Sequence, residues 1–159
     1  MCKPGPDRTP LDDDDSVFLM DLVDQSSYER VSPVVFRLTS EEKEREPEDR
    51  RRSAWEMELS SPEQIVDVLG NPRRRLVVTV DVDDVQSIEV EDADMVVCWD
   101  YKEGCLDSSG NRINGHSGCE GHCGIFGWPY GVPHASDKRK SVRRNLAEKA
   151  EVEGEVERD

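Results

Sequence analysis

Cysteine and histidine side chains, the residue types that bind transition metals, are concentrated in one stretch of the chain. Four of the five cysteines fall within 26 residues, and the three histidines lie between or just beyond them. These residues are Cys98, Cys105, Cys119, Cys123, His116, His122 and His134. Zinc takes four thiolate or imidazole ligands, and short spacings between ligands reduce the entropy lost on closing the loop. We therefore expect a structural zinc site, with disulfides or unbound thiols as the alternatives.

The expected zinc ligands follow from the spacing within the segment. Glycine recurs at every third position from Gly115 to Gly127, and an extended helix of three residues per turn would hold successive ligands about 9 Å apart. The segment must therefore turn back on itself, which glycine permits. Bound zinc would contribute on the order of 10 kcal/mol to ordering a loop with few aliphatic residues. The expected ligands are Cys105, His116, Cys119 and Cys123, with Cys98 and His122 as alternates.

Three aromatic residues follow the expected ligands directly. They are Phe126, Trp128 and Tyr130. Aromatic side chains bury a large apolar area, so this group predicts either an apolar cap over the metal site or an exposed interaction patch for a partner. The sequence leaves both interpretations open.

A basic cluster precedes the acidic C-terminal residues. It consists of Lys138, Arg139, Lys140, Arg143 and Arg144. Cations at the start of a helix are unfavourable to the helix dipole, so we expect an anionic group to compensate them. An acidic surface of a neighbouring protein subunit is the preferred partner and nucleic acid is the alternative. The runs 50–52 and 73–75 are the other places where phosphate would bind.

An apolar strand that ends in aspartates suggests a different chemistry. The run Leu76 to Val85 contains Asp81 and Asp83 two residues apart. It resembles the first motif of haloacid-dehalogenase-like phosphotransferases. That resemblance implies Asp81 as the nucleophile, Asp83 as the acid/base and magnesium between them. It extends over ten residues only, and a strand followed by a turn of aspartates gives the same string.

The elements that would position these residues are mostly short strands. Period-two alternation predicts a strand over 55–59, and β-branched runs predict strands over 34–38, 76–82, 85–90 and 95–99. Residues 17–23 fit a strand or a helical segment, and Asp83-Asp84 fits a tight turn. Ser61 and Pro62 predict the start of a helix that Gly70 ends. The fold class is therefore α+β, a small antiparallel sheet of four to six strands with one packed helix.

Four regions follow from the changes in composition. Residues 1–15 are expected to form a flexible acidic arm, 16–100 the α+β core, 101–135 the Gly/Cys/His-rich zinc loop and 136–159 a charged helix or tail.

The charge of the chain limits its partners. The formal net charge is −15, and Leu, Ile, Val and Phe number only 35 of 159 residues. Such acidity repels nucleic acid and anionic lipid except at a local basic patch, so no membrane partner is expected. We expect a cytoplasmic or virion protein without a signal peptide. Acidity with 15 arginines and 6 lysines also resembles proteins of salt-loving archaea or of very GC-rich genomes.

The expected function is non-enzymatic. These features favour a structural or assembly component of a larger complex, such as a virion in a halophilic archaeal setting, held together in part by zinc. The alternative is a small zinc-containing regulatory or nucleic-acid-associated protein, and a phosphotransferase-like enzyme using Asp81 and Asp83 comes third.

Overall fold

One antiparallel sheet is the scaffold of the described structure, a computed structural model that describes residues 8–22, 31–38, 43–44, 46–47, 50–63, 74–100 and 121–157. Within these ranges seven strands pair in the order β1-β5-β6-β3-β2-β4-β7, and every neighbouring pair is antiparallel. The strands are β1 (Arg8–Pro10), β2 (Ser16–Leu22), β3 (Arg52–Glu56), β4 (Arg74–Asp81), β5 (Val96–Asp100), β6 (His122–Phe126) and β7 (Glu151–Glu157).

Helical elements cover one face of this sheet. They are a 3₁₀ turn (Pro33–Phe36), helix α1 (Val82–Gln86) and helix α2 (Ala135–Lys149). Each contributes two buried apolar side chains to one core cluster with the sheet: Val35, Phe36, Val82, Val85, Val142 and Leu146. The predicted α+β class is confirmed, with seven described strands in place of four to six.

The opposite face of the sheet is also buried. Successive residues of a strand point to opposite faces, so Val17 and Leu19 face the helices while Phe18 faces away. Phe18 stacks on Trp55 of the neighbouring strand, with ring centroids 5.8 Å apart. Val96, Cys98 and Phe126 form a second apolar cluster. Burial on both faces explains why β4 reads as a nearly continuous apolar run.

Both ends of the described chain join the sheet, which the sequence did not predict. Residues 8–10 were expected in a flexible arm but pair with β5, and Leu11 beyond them is buried. The predicted C-terminal helix ends at Lys149 and its continuation is β7 instead. Val152 of β7 lies opposite Val78 of β4, so pairing with a buried strand outweighs the weak helix preference of this segment.

Two predicted strands are short helical elements. A strand was predicted over 34–38, but residues 33–36 form the 3₁₀ turn. The hydroxyl of Ser32 accepts a hydrogen bond from the Val34 amide, and Pro33 fits the first helical position. Residues 82–86 form α1, so the predicted turn at 83–84 and strand over 85–90 are wrong. Acidic residues in the first turn of α1 suit the helix dipole.

The alternation over residues 55–59 predicts a strand that the structure contains only in part. The strand β3 ends at Glu56, and residues 57–59 form a turn. The apolar side chains of Met57 and Leu59 are 44% and 45% exposed, whereas the Glu56 carboxyl is buried. A turn breaks the period of two, so the polar residue takes the interior position. Most of the helix predicted after Ser61 lies outside the described residues.

Candidate functional site

A basic pocket of about 440 Å³ opens beside the first half of α2. Six cationic side chains from four separate segments line it, together with Tyr130 and Ser136, and among the described residues no carboxylate does. The cations are Arg37, Lys43, Arg50, Arg139, Lys140 and Arg143. In a chain with a net charge of −15 this concentration of positive charge needs a physical account.

Helix α2 supplies one stripe of the pocket. Ser136, Arg139, Lys140 and Arg143 are spaced i, i+3, i+4 and i+7, so they share one face of the helix. Val142 and Leu146 lie on another face and are fully buried against the sheet and the 3₁₀ turn. The amphipathic pattern of α2 therefore fixes the orientation of the basic stripe, because rotating the helix would expose its apolar face.

Two members of the predicted basic cluster lie outside the pocket. The ammonium of Lys138 lies 2.5 Å from a carboxylate oxygen of Asp92 and 3.9 Å from one of Glu91. Arg144 is exposed and does not line the pocket. The structure thus divides five cations that are close in sequence into three that converge on one cavity and two that do not.

The residues that follow the 3₁₀ turn also line the pocket. Arg52 is buried, and its Nε donates to the carbonyl of Val35 at 2.9 Å while a second guanidinium nitrogen donates to the carbonyl of Met20. These hydrogen bonds fasten the turn to the sheet, and Arg37 follows the turn directly at the edge of the pocket. A buried arginine thereby positions an exposed one.

The segment after β6 places an aromatic ring in the lining of the pocket. Gly127 has a φ of +94°, and a Cβ there would lie 1.8 Å from the carbonyl oxygen of Asp94, so only glycine fits. Three residues later, the Tyr130 ring has the guanidinium carbons of Arg50 and Arg139 at 4.3 Å and 4.2 Å from its centroid. Arg139 also donates to the carbonyl of Pro129 at 3.0 Å. Cation–π contacts hold both guanidinium groups against the ring.

The proximity of like charges affects the pKa of one arginine in the pocket. Burial lowers the pKa of the Arg143 guanidinium below its usual value, and the positive charges of Arg37 and Arg139 lower it further, whereas Tyr130 opposes the shift. Arginine nevertheless keeps its proton in proteins, so the pocket cannot relieve this repulsion by titration. An anion from outside would relieve it.

An acidic cluster lies elsewhere, at one end of β3. Carboxylate oxygens of Asp15, Glu56 and Glu58 lie within 4.8 Å of one another. Burial raises the pKa of Glu56, and the neighbouring charges of Asp15 and Glu58 raise it as well. A hydrogen bond of 2.7 Å from the indole nitrogen of Trp99 acts in the opposite direction. Glu56 is therefore poised to hold a proton close to Asp15.

The predicted zinc ligands are only partly visible. Cys105, His116 and Cys119 lie outside the described residues, so this ligand set stays a prediction. Cys123 packs in the core beside Ala54, whereas Cys98 belongs to the cluster on the opposite face. The sheet therefore separates these two thiols, and they would not ligate one ion together.

The alternate ligand His122 is placed as a packing residue. It lies next to Cys123 in β6, so its ring points to the opposite face of the sheet. There it contacts the Trp55 ring, with centroids 5.6 Å apart.

Metal analysis of the purified protein before and after a chelator tests the zinc prediction directly.

The regularly spaced glycines have a packing role where the structure describes them. A Cβ at Gly124 would lie 2.6 Å from the buried Arg51 side chain, and one at Gly121 would lie 2.7 Å from the hydroxyl of Ser60. With Gly127, these three positions need glycine because another chain segment approaches closely.

The three aromatic residues that were expected to form one cap or patch lie in different surroundings. Phe126 and Trp128 are buried, and the indole nitrogen of Trp128 donates to the carbonyl of Ile125. Tyr130 is half-buried and forms part of the basic pocket. Of the three, Tyr130 is the one placed to touch a partner.

The two aspartates of the phosphotransferase-like motif serve separate elements. A carboxylate oxygen of Asp81 accepts a hydrogen bond from the hydroxyl of Ser16 at 2.6 Å, and Asp83 stands in the first turn of α1. Among the described residues, the acidic cluster is the group of three potential ligands close enough to share an ion, and it includes neither aspartate.

Four residues that line the pocket were not predicted from the sequence. They are Arg37, Leu38, Lys43 and Ser136. The helical spacing of Ser136 with Arg139, Lys140 and Arg143 was a usable signal. Arg37 and Lys43 carry no local signal, because only the chain path brings them to α2.

In the part of the chain that the structure describes, no helix has both the length and the apolarity to span a bilayer. No protein-family model, curated protein or solved structure matches the chain, so the basic pocket is the feature from which a function is proposed.

Proposed function

We propose that this protein is a non-enzymatic component of a larger assembly and that the basic pocket holds an anionic segment of a partner protein. The observation that carries the proposal is the convergence of six cations from four segments on one cavity in an acidic chain. Evenly distributed cations would only solubilise the surface. Converging ones repel each other and are stabilised by a bound anion.

A protein partner is favoured over nucleic acid by the shape and surroundings of the site. Nucleic-acid surfaces are usually basic stripes or patches that extend along the backbone. Here six cations line one cavity, and the chain also carries exposed carboxylates at Glu151, Glu153 and Glu155 of β7. A short acidic segment would occupy the cavity, whereas a long polyanion would also meet the net negative charge of the rest of the chain.

The test uses poly-L-glutamate as a stand-in for an acidic segment. Binding to the full chain is measured by isothermal titration calorimetry at low and at molar salt, with Arg143→Ser and Arg144→Ser compared. We expect Arg143→Ser to weaken binding about 10- to 100-fold, because one charge-assisted contact is lost.

The matched control is Arg144→Ser, which removes the same charge one residue away. It should change affinity by less than about threefold, since the rest of the pocket is intact and salt screens distant charges. Absence of poly-L-glutamate binding at low salt, or equal losses in the two variants, would contradict the proposal. Tighter binding of duplex DNA would favour the nucleic-acid alternative instead.

A further inference from the structure

The basic pocket concentrates more positive charge than carboxylates readily balance. Each carboxylate brings one negative charge with its own methylene groups and backbone, so several carboxylates would have to crowd into about 440 Å³ to balance the cations. The acidic cluster shows what such crowding does in this protein, because burial and nearby carboxylates raise the pKa of Glu56 and favour its neutral form. A phosphate monoester carries about −1.5 to −2 charges on one compact group. Two or three phosphates would match the pocket without that crowding.

The donor groups also fit phosphate. Four of the six cations are arginines, whose planar guanidinium groups present paired N–H donors that match phosphate oxygens in a bidentate manner. Ser136 adds a hydroxyl on the same helical stripe as Arg139 and Arg143. A pocket built for general attraction to acidic surfaces would need only flexible lysines.

Part of the pocket is organised in advance. Arg50 and Arg139 lie against the Tyr130 ring, and the backbone carbonyl of Pro129 fixes Arg139 further. Side chains already held in place lose less entropy when a ligand binds, which favours a compact ligand with defined geometry over a diffuse one.

Building on the proposed function, we propose that the anionic group recognised by the basic pocket is a cluster of two or more phosphates, carried by a multiply phosphorylated segment of the partner protein. Arg37, Arg139 and Arg143 contact the phosphate oxygens from two walls of the cavity, and Ser136 donates its hydroxyl. A free polyphosphate compound shares this chemistry and is separated from the partner segment by the experiment.

Calorimetric titration of the full chain with pyrophosphate and with citrate separates phosphate recognition from charge alone. Both probes carry about three negative charges at neutral pH, but citrate bears them on carboxylates. We expect pyrophosphate to bind at least about tenfold more tightly, in keeping with its bidentate contacts to arginine. Equal affinities would overturn the inference while leaving the proposed function intact if poly-L-glutamate still binds. Failure of both pyrophosphate and poly-L-glutamate would overturn both.

Matched double variants locate the site. Arg139→Ser with Arg143→Ser removes two charges from the pocket, and Lys138→Ser with Arg144→Ser removes two charges from the same helix outside it. We expect the first pair to weaken pyrophosphate at least about 30-fold and the second less than about threefold. Equal effects of the two pairs would overturn the inference.

A conservative substitution distinguishes a loss of anion binding from a loss of folding. Arg143→Lys keeps the charge but removes the paired donors, so we expect a roughly three- to tenfold loss for pyrophosphate and little change for poly-L-glutamate. Equal losses for both probes would contradict bidentate recognition. Circular dichroism confirms that each variant is folded.

Two peptides identify the source of the phosphates. A doubly phosphorylated serine peptide that binds more tightly than pyrophosphate supports a partner segment, with its aspartate-substituted version as the control. Binding of pyrophosphate without binding of the phosphopeptide supports phosphate recognition but overturns the partner segment in favour of a free compound. A single-stranded DNA of 20 nucleotides that binds more tightly than either would overturn the inference.

Discussion

The acidic cluster and the basic pocket are both groups of like charges, but they relieve their repulsion differently. In the acidic cluster, burial and the neighbouring carboxylates raise the pKa of Glu56, so a proton can be taken up and shared with Asp15. In the basic pocket, burial and neighbouring cations lower the pKa of Arg143. The ordinary pKa of a guanidinium is so far above neutral pH, however, that the group stays charged.

The difference concerns how the charge of each group can be neutralised. A carboxylate cluster neutralises itself from solvent by protonation, so its presence says little about a ligand. An arginine cluster has no such route, so its charge is balanced by carboxylates of the same chain, by an anion from another molecule or by screening salt. Chemistry of the side chains, and not the number of charges, therefore directs attention to the basic pocket.

The largest effect should come from removing the carboxyl of Glu56. Glu56→Ala leaves the indole nitrogen of Trp99 without its acceptor, and we expect the free energy of unfolding to fall by about 1–3 kcal/mol. Urea denaturation followed by tryptophan fluorescence measures the change. Glu56→Gln is the matched control, because its amide oxygen accepts the same hydrogen bond, and an equal loss in both variants would contradict this role of the carboxyl.

The pH dependence of stability should separate the two regions next. The folded-state pKa of Glu56 is raised above its value of 4.5 in the unfolded chain, so the protonated form favours folding. That stabilisation is fully present below pH 4.5 and is lost as the pH rises through the raised folded pKa. The free energy of unfolding of the wild type, relative to Glu56→Gln, should therefore decrease with increasing pH.

Urea denaturation of both proteins at several pH values between about 4 and 8 checks this sign. Carboxylates that do not interact with Glu56 titrate alike in both proteins and cancel in the difference, which reports on Glu56 together with its neighbours Asp15 and Glu58. A difference that stays constant across this range would show that Glu56 does not hold a proton in the folded state. Variants of the basic pocket should leave the pH dependence unchanged, since arginine does not titrate there.

The smallest effect should come from the ion pair that holds Lys138 away from the pocket. Lys138→Ala should lower the free energy of unfolding by about 0.2–1 kcal/mol, as surface ion pairs contribute little. A double-mutant cycle with Asp92→Asn measures the pair alone, and asparagine tolerates the φ of +62° at this position. A coupling energy above this range, or a large loss of anion binding in Lys138→Ala, would place Lys138 in the functional site.

Local patterns predicted some elements and failed at others for identifiable reasons. The valine-rich run of β4 and the run of β5 were recognisable because a strand buried on both faces is apolar throughout. The run over 85–90 also contains β-branched residues, yet Val85 and Gln86 belong to α1, because Val82 and Val85 meet the core at helical spacing. Residues 55–59 alternate as a strand would, but a turn after Glu56 reverses their exposure.

The basic pocket was predictable only in part. Five clustered cations and their conflict with the helix dipole indicated an anionic partner near 138–144. Which of them converge depends on the helical face set by Val142 and Leu146, and this separates Arg143 from Lys138 and Arg144. No local sequence pattern predicts that Arg37 and Lys43 line the pocket.

By itself, the sequence determined the acidity of the chain, the α+β class and the cationic segment at 138–144, because composition and short-range periodicity express charge and local propensity directly. Only the tertiary structure decided that Glu56 is buried beside Asp15 and that arginines from distant segments face one cavity. The reason is that burial and long-range proximity arise from the pairing of strands far apart in the chain, and no neighbouring residue records that pairing.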